Sequence, residues 1–115
     1  MITRIKGGPR MSQAVVHGNT VYLAGQVASN RSADVAGQTR EILAAIDGLL
    51  AEAGTDKKHL LAATIYLADM GTFNEMNAVW DAWVAPGCAP ARATVGAPLA
   101  SSAYRVEIVV TAALD

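Results

Sequence analysis

The chain is poor in the residues that most often carry chemistry. Of its 115 residues one is cysteine, Cys88, and two are histidine, His17 and His59. A lone cysteine excludes an internal disulfide, and three such residues spread along the chain offer no set of ligands at metal-binding spacing. Charged residues make up only 17% and sum to a formal −1, without the basic stripe that nucleic-acid binding needs. No apolar run approaches a membrane span, and Met1-Ile2-Thr3-Arg4 lacks the basic head and apolar body of a signal peptide. The expectation is a soluble cytoplasmic protein with no metal, no nucleic-acid partner and no membrane contact.

What the chain has in excess is apolar side chain, 52% of its residues. The length suits one domain, residues 1–115, and a single small core cannot bury so much. Association between subunits is the expected outlet.

Met1-Ile2-Thr3-Arg4-Ile5-Lys6 alternates and stops at Gly7-Gly8-Pro9, as a short edge strand does. Gln13–His17 and Thr20–Val27 are strand-like runs separated by Gly18-Asn19, a hairpin turn. Gly25 interrupts the second run and marks a bulge or a close approach by backbone or ligand. Asp34 caps a helix whose apolar positions run Val35, Ile42, Leu43, Ile46, Leu49 and Leu50, ending at Gly54, with Arg40, Glu41, Asp47 and Glu52 on its solvated face. After a strand at 60–68, Thr72-Phe73-Asn74-Glu75 reads as a capping box opening a second helix with the stripe Phe73, Met76, Trp80, Trp83 and Val84. Asn77 beside that stripe reads as a hydrogen-bonded packing residue, with a ligand contact as the alternative.

Two strands close the chain. Pro90-Ala91-Arg92-Ala93-Thr94-Val95 carries a cation into an apolar, small-residue run, and Tyr104–Ala113 carries Glu107. As successive strands they predict a hairpin with Arg92 and Glu107 as neighbours. Arg92 gripping a ligand carboxylate while Glu107 handles a water, and a plain Arg92–Glu107 ion pair, both fit the spacing. The fold class is α+β, one mixed sheet with two helices on one face. Alternation sends Val21, Leu23, Ile65, Leu67, Val106, Ile108 and Val110 toward the helices. It leaves Tyr22, Ala24, Gln26, Thr64, Tyr66, Glu107, Val109 and Thr111 on a face that a closed ring of subunits would cover.

Gly25-Gln26, Asn77, Pro90–Val95 and Val106-Glu107-Ile108, in that order and spacing, resemble the RidA family, also called YjgF, the enamine/imine deaminases. The resemblance spans the whole chain. It implies a chorismate-mutase-like fold, a homotrimer with sites between subunits, and no cofactor. It also implies hydrolysis of short-lived enamines and imines of the 2-aminoacrylate type to 2-keto acids and ammonia. Arg92 would bind the carboxylate of a small metabolite and Glu107 would place or activate water, with Met11, Ala24, Gly25, Asn77 and Thr94 lining the pocket. This chain departs from the deaminase pattern where it has Met11 in place of a tyrosine, Ala24 of a serine or threonine, Thr94 of a cysteine, and Gly96 of an often acidic residue. Those departures keep a second function in view, a non-catalytic trimer that binds or senses keto acids.

Overall fold

Val21, Leu23, Ile65, Leu67, Val106, Ile108 and Val110 are all buried on one face of one sheet in the computed structural model, which describes residues 1–115. In chain order the strands are β1 (Ile2–Ile5), β2 (Ala14–His17), β3 (Thr20–Leu23), β4 (Leu60–Leu67), β5 (Ala91–Gly96) and β6 (Val106–Ala113). The helices are α1 (Val35–Ala53), between β3 and β4, and α2 (Phe73–Trp83), between β4 and β5. Across the sheet the order is β1-β2-β3-β6-β4-β5, with β4 and β5 parallel and every other pair antiparallel. One mixed sheet carrying two helices on one face is the architecture that the alternation predicts.

The α1 termini follow the sequence. Asp34 Oδ1 accepts from the Gly37 backbone N–H at 2.8 Å, satisfying one of the donors that a helix start leaves free. Gly54 closes the helix at φ 95°, a left-handed conformation that favours glycine. Ile42, Leu43, Ile46 and Leu50 are buried against the sheet, each stabilising the fold by roughly 1.5–3 kcal/mol. The charged side of α1 does more than face solvent. Asp47 accepts from the Trp83 indole N–H at 2.9 Å and so ties α1 to α2. The Glu41 carboxylate accepts backbone N–H donors from Ser29 and Asn30, and those two bonds, Ser29 first, lower its pKa.

At α2 the structure corrects the capping box. A 3-10 turn over Met70–Thr72, capped by Asp69, leads directly into the helix, so Thr72 is already wound and its hydroxyl donates back to the Asp69 carbonyl. Glu75, freed from that role, accepts from the Ala36 backbone N–H at the start of α1. The last strand also begins later than its apolar run suggests. Tyr104 and Arg105 stay in the loop, where the Arg105 backbone N–H donates to Gln38 Oε1 and its Nε to the Ala33 carbonyl.

Two further corrections concern the sheet. β5 and β6 are not a hairpin, because β4 lies between them. The unit β4–α2–β5 is a strand–helix–strand crossover, which lays β5 parallel along one edge of β4, and β6 then takes the other edge. Gln26 leaves the open face. From Tyr22–Thr111 to Gln26–Ile108 the chain advances four residues on one side and three on the other. That extra residue is a bulge, and it turns Gln26 to the helix side among Ala45, Gly48 and Leu49.

The face opposite the helices has no cover. Tyr22 is 50% exposed and Val95 42%, while Ala24, Thr64, Tyr66, Val109 and Thr111 are half-buried beside them. A sheet this apolar and this open is a surface prepared for another subunit.

Candidate functional site

Arg92 stands on β5, the edge strand, and its cross-strand partner is Ala63. Ala63 is buried on the helix side, so Arg92 points toward α2. Its guanidinium carbon lies 5.4 Å from the Trp80 ring centroid and 5.9 Å from that of Phe73. Both rings hold the cation by their π faces. Neither ring neutralises its charge. The ion pairs of the protein are Lys6–Glu52 and His59–Asp56, and no carboxylate reaches Arg92.

Thr94 is two residues further along the same face of β5, beside Ile65. Asn77 sits one turn after Phe73 and one turn before Trp80 on α2, between the two rings that flank the cation. Both residues carry a buried oxygen, Thr94 Oγ1 and Asn77 Oδ1, with no hydrogen-bond partner. Asn77 is therefore not the satisfied packing residue that its place beside the apolar stripe suggests. Arg92, Thr94 and Asn77 thus share the helix side of the sheet, with Phe73 and Trp80 of α2 against Arg92.

Glu107 belongs elsewhere. Its partner across β4–β6 is Tyr66, on the face away from the helices. Arg92 and Glu107 thus point to opposite sides of one sheet, separated by about 10 Å across two strand spacings and by roughly 10 Å along the strands. An Arg92–Glu107 ion pair within one chain is excluded. What lies against Glu107 is Gly25: a Cβ there would be 2.9 Å from the Glu107 carboxyl carbon. Only a residue without a side chain lets the carboxylate lie across the bulge.

Ala24 adjoins this second cluster, its backbone N–H donating to the Gln13 carbonyl at 2.8 Å. Met11 is half-exposed in the loop joining β1 to β2. That loop leaves the sheet at the Ile5–Ala14–Leu23 end, where Gly25 and Glu107 also lie. The seven predicted residues therefore divide into two separate clusters in one chain. Arg92, Thr94 and Asn77 form the first, on the helix side of the β5 edge. Glu107, Gly25 and Ala24 form the second, with the Met11 loop at the same end of the sheet. No group of histidine, cysteine, aspartate or glutamate in either is placed to hold a metal ion.

Sequence reasoning missed Phe73 and Trp80, which read as core and serve also as the platform for Arg92. Their spacing with Asn77, at i, i+4 and i+7, was the available signal. The largest concavity, about 570 Å³ between α1 and α2 and lined by Leu43, Val79 and Trp83, includes none of the seven. Arg92 lies on the edge strand β5, outside both concavities of the protein.

Comparison with known proteins gives one answer. The model of the family described as Endoribonuclease L-PSP matches residues 1–114. A RutC family protein from Haemophilus ducreyi is 47% identical over 115 residues, all of this chain and 98% of its own. Among solved structures, a YjgF-family protein from Neisseria meningitidis superposes with a TM-score of 0.97 at 50% identity, covering all of this chain and 96% of its own. A protein of the Rid family from Yersinia pestis gives a TM-score of 0.85 at 28% identity, covering 93% and 90%. No helix is long and apolar enough to cross a membrane.

Proposed function

The chain belongs to the Endoribonuclease L-PSP family, the group of the RidA, YjgF and RutC proteins, and from that premise we propose that it is a homotrimeric hydrolase of small carboxylated enamines and imines. The observation that carries the reading is Arg92, a half-buried cation held between two aromatic rings with no carboxylate partner and two orphaned polar atoms beside it. Such a cation is complementary to an anion from outside the chain, and a guanidinium matches a carboxylate in a two-point grip.

On this reading a site is completed where the Arg92 cluster of one subunit meets the Glu107 cluster of the next. The opposite orientation of the two residues supports that arrangement. The carboxylate of a 2-iminocarboxylate docks on Arg92, and Glu107 orients a water toward C2. The water oxygen bonds to C2 and one of its protons passes by way of Glu107 to nitrogen, giving a carbinolamine. The remaining hydroxyl proton then passes by the same carboxylate to nitrogen as the C–N bond breaks and the C=O bond forms, and the 2-keto acid and ammonia leave. An imine carbon is already electrophilic, so positioning and a single base suffice. The label endoribonuclease fits the residues less well. His17 sits in the β2–β3 hairpin and His59 in a turn against Asp56, neither beside Arg92.

A keto-acid-binding trimer without turnover is the second reading, favoured by the departures at Met11, Ala24 and Thr94. One assay separates the two. Imines are generated from several amino acids by an amino-acid oxidase, and their loss is followed against trapping by semicarbazide. Acceleration that falls by at least about 100-fold in Arg92→Ala is the expected result. Keto-acid binding with no acceleration for any imine selects the second reading. A sedimentation mass of one subunit overturns the shared site in either.

A further inference from the structure

The bulge Ala24-Gly25-Gln26 is tied down by a side chain of its own. The Ala24 backbone N–H donates to the Gln13 carbonyl at 2.8 Å, and the Ala24 carbonyl accepts from Gln26 Nε2 at 3.0 Å. The same NH₂ group donates to Gln13 Oε1, also at 3.0 Å. A backbone carbonyl only accepts, so the contact with Ala24 settles which end of the Gln26 carboxamide is the NH₂, and that end in turn requires the oxygen of Gln13. Gln26 thus folds back over its own bulge and commits both donors there.

Strand positions facing the helices are ordinarily apolar, as Val21, Leu23, Ile108 and Val110 are. A glutamine there carries polar atoms into the space beside Ala45 and Leu49 of α1, which is unfavourable unless they are bonded. The bonds it makes reach only the bulge and Gln13. What the bulge supports lies on the other side of the sheet. The Glu107 carboxylate enters no ion pair and rests directly against Gly25. A glycine is the most pliable link a chain can have, so its height under the carboxylate is set by its neighbours. Those neighbours are Ala24, held by the carboxamide, and the Gln26 backbone, held by Ile108.

Resting on the reading of Glu107 as the group that handles water, we propose that Gln26 is a positioning residue for Glu107. From the face away from Glu107, its carboxamide fixes the Ala24 carbonyl and so the level at which Gly25 meets the carboxylate. Gln13 orients the carboxamide from behind. Arg92 of the same chain is three strands away from β3, so the clamp does not depend on either glutamine.

Imine hydrolysis followed at varied imine concentration tests this. Gln26→Met keeps the length and removes both donors. It is expected to lower kcat about tenfold at unchanged KM, in an intact assembly that melts within about 5 °C of wild type. Gln26→Glu keeps the shape, replaces the donors by an acceptor, and gives the same split should methionine disturb the bulge. Gln13→Met leaves the Gln26 NH₂ bonded to Ala24 alone and lowers kcat about threefold. It adds nothing to Gln26→Met in the double variant, because both act through one contact. Wild-type kcat in both Gln26 variants, a loss that appears in KM or through dissociation of the assembly in both, or additive losses in the double variant overturns the positioning role. The hydrolase reading then stands, provided Glu107→Gln abolishes turnover. No acceleration of any imine by wild type, or full turnover in Glu107→Gln, overturns that reading and this inference with it.

Discussion

Gly25 illustrates how a single missing side chain sets the position of a functional group. The Glu107 carboxylate lies where a Cβ at position 25 would be, so Gly25→Ala cannot be accommodated without moving one of them. The bulge is pinned on its far side by paired backbone bonds between Gln26 and Ile108, at 2.9 and 3.1 Å, and the carboxylate is the freer of the two. The variant is expected to fold and assemble while imine hydrolysis drops by about tenfold or more through misplacement of Glu107. Thermal melts alongside the semicarbazide assay check both halves of that statement. Gly96 is under a related, looser constraint, since a Cβ there would approach the flexible Met70 side chain at 2.9 Å. Met70 fills the space beside Gly96.

At the scale of elements, the segment before α1 is held by a carboxylate that belongs to the helix itself. Ser29 and Asn30 donate backbone N–H groups to Glu41, and these bonds bring its pKa below the ordinary value of 4.5. A carboxyl whose pKa is depressed by folding contributes stability that is present above its unfolded pKa and lost as pH falls through the folded one. Glu41→Gln removes that contribution. Wild type is therefore expected to be the more stable near neutrality, and the gap should narrow as pH drops from 4.5 into the more acid range. Urea midpoints measured across that range report it.

The elements were also the most legible part of the sequence. Asp34 and Gly54 bracket α1, Gly18 marks the β2–β3 turn at φ 60°, and the alternation in β3, β4 and β6 sorts the sheet faces. What was hidden depends on contacts distant in sequence. That β6 inserts beside β4 and not β5 is decided by long-range pairing, although the strand–helix–strand order around α2 already called for a parallel crossover. The Thr72 cap failed because the preceding turn had drawn Thr72 into the helical winding. For the candidate site, residue types were readable from the chain, and their sides of the sheet were not, because the side of Arg92 follows from its register with Ala63.

The whole molecule measures 41 × 37 × 20 Å, a slab with helices on one side and an uncovered apolar sheet on the other. With Arg92 and Glu107 on opposite sides of the slab, the shared-site proposal makes loss of either residue repairable by a neighbour that keeps it. Co-expressed Arg92→Ala and Glu107→Gln chains, each inactive alone, are expected to regain activity in mixed rings. In a closed ring of three, about one site per mixed ring combines an intact Arg92 with an intact Glu107. Assay of hybrids purified by two different affinity tags measures this. No recovery in verified hybrids would place both residues' functions within one subunit and overturn the shared site.

The same geometry has a consequence in time. On the proposed reading, a newly made chain carries every reactive group and yet performs no chemistry, since its own sheet stands as a wall between them. Its latency needs no inhibitory segment and no processing step. Encounter with sister chains is the activation event, so the onset of activity after synthesis, or its decay on dilution, follows the local abundance of the protein itself.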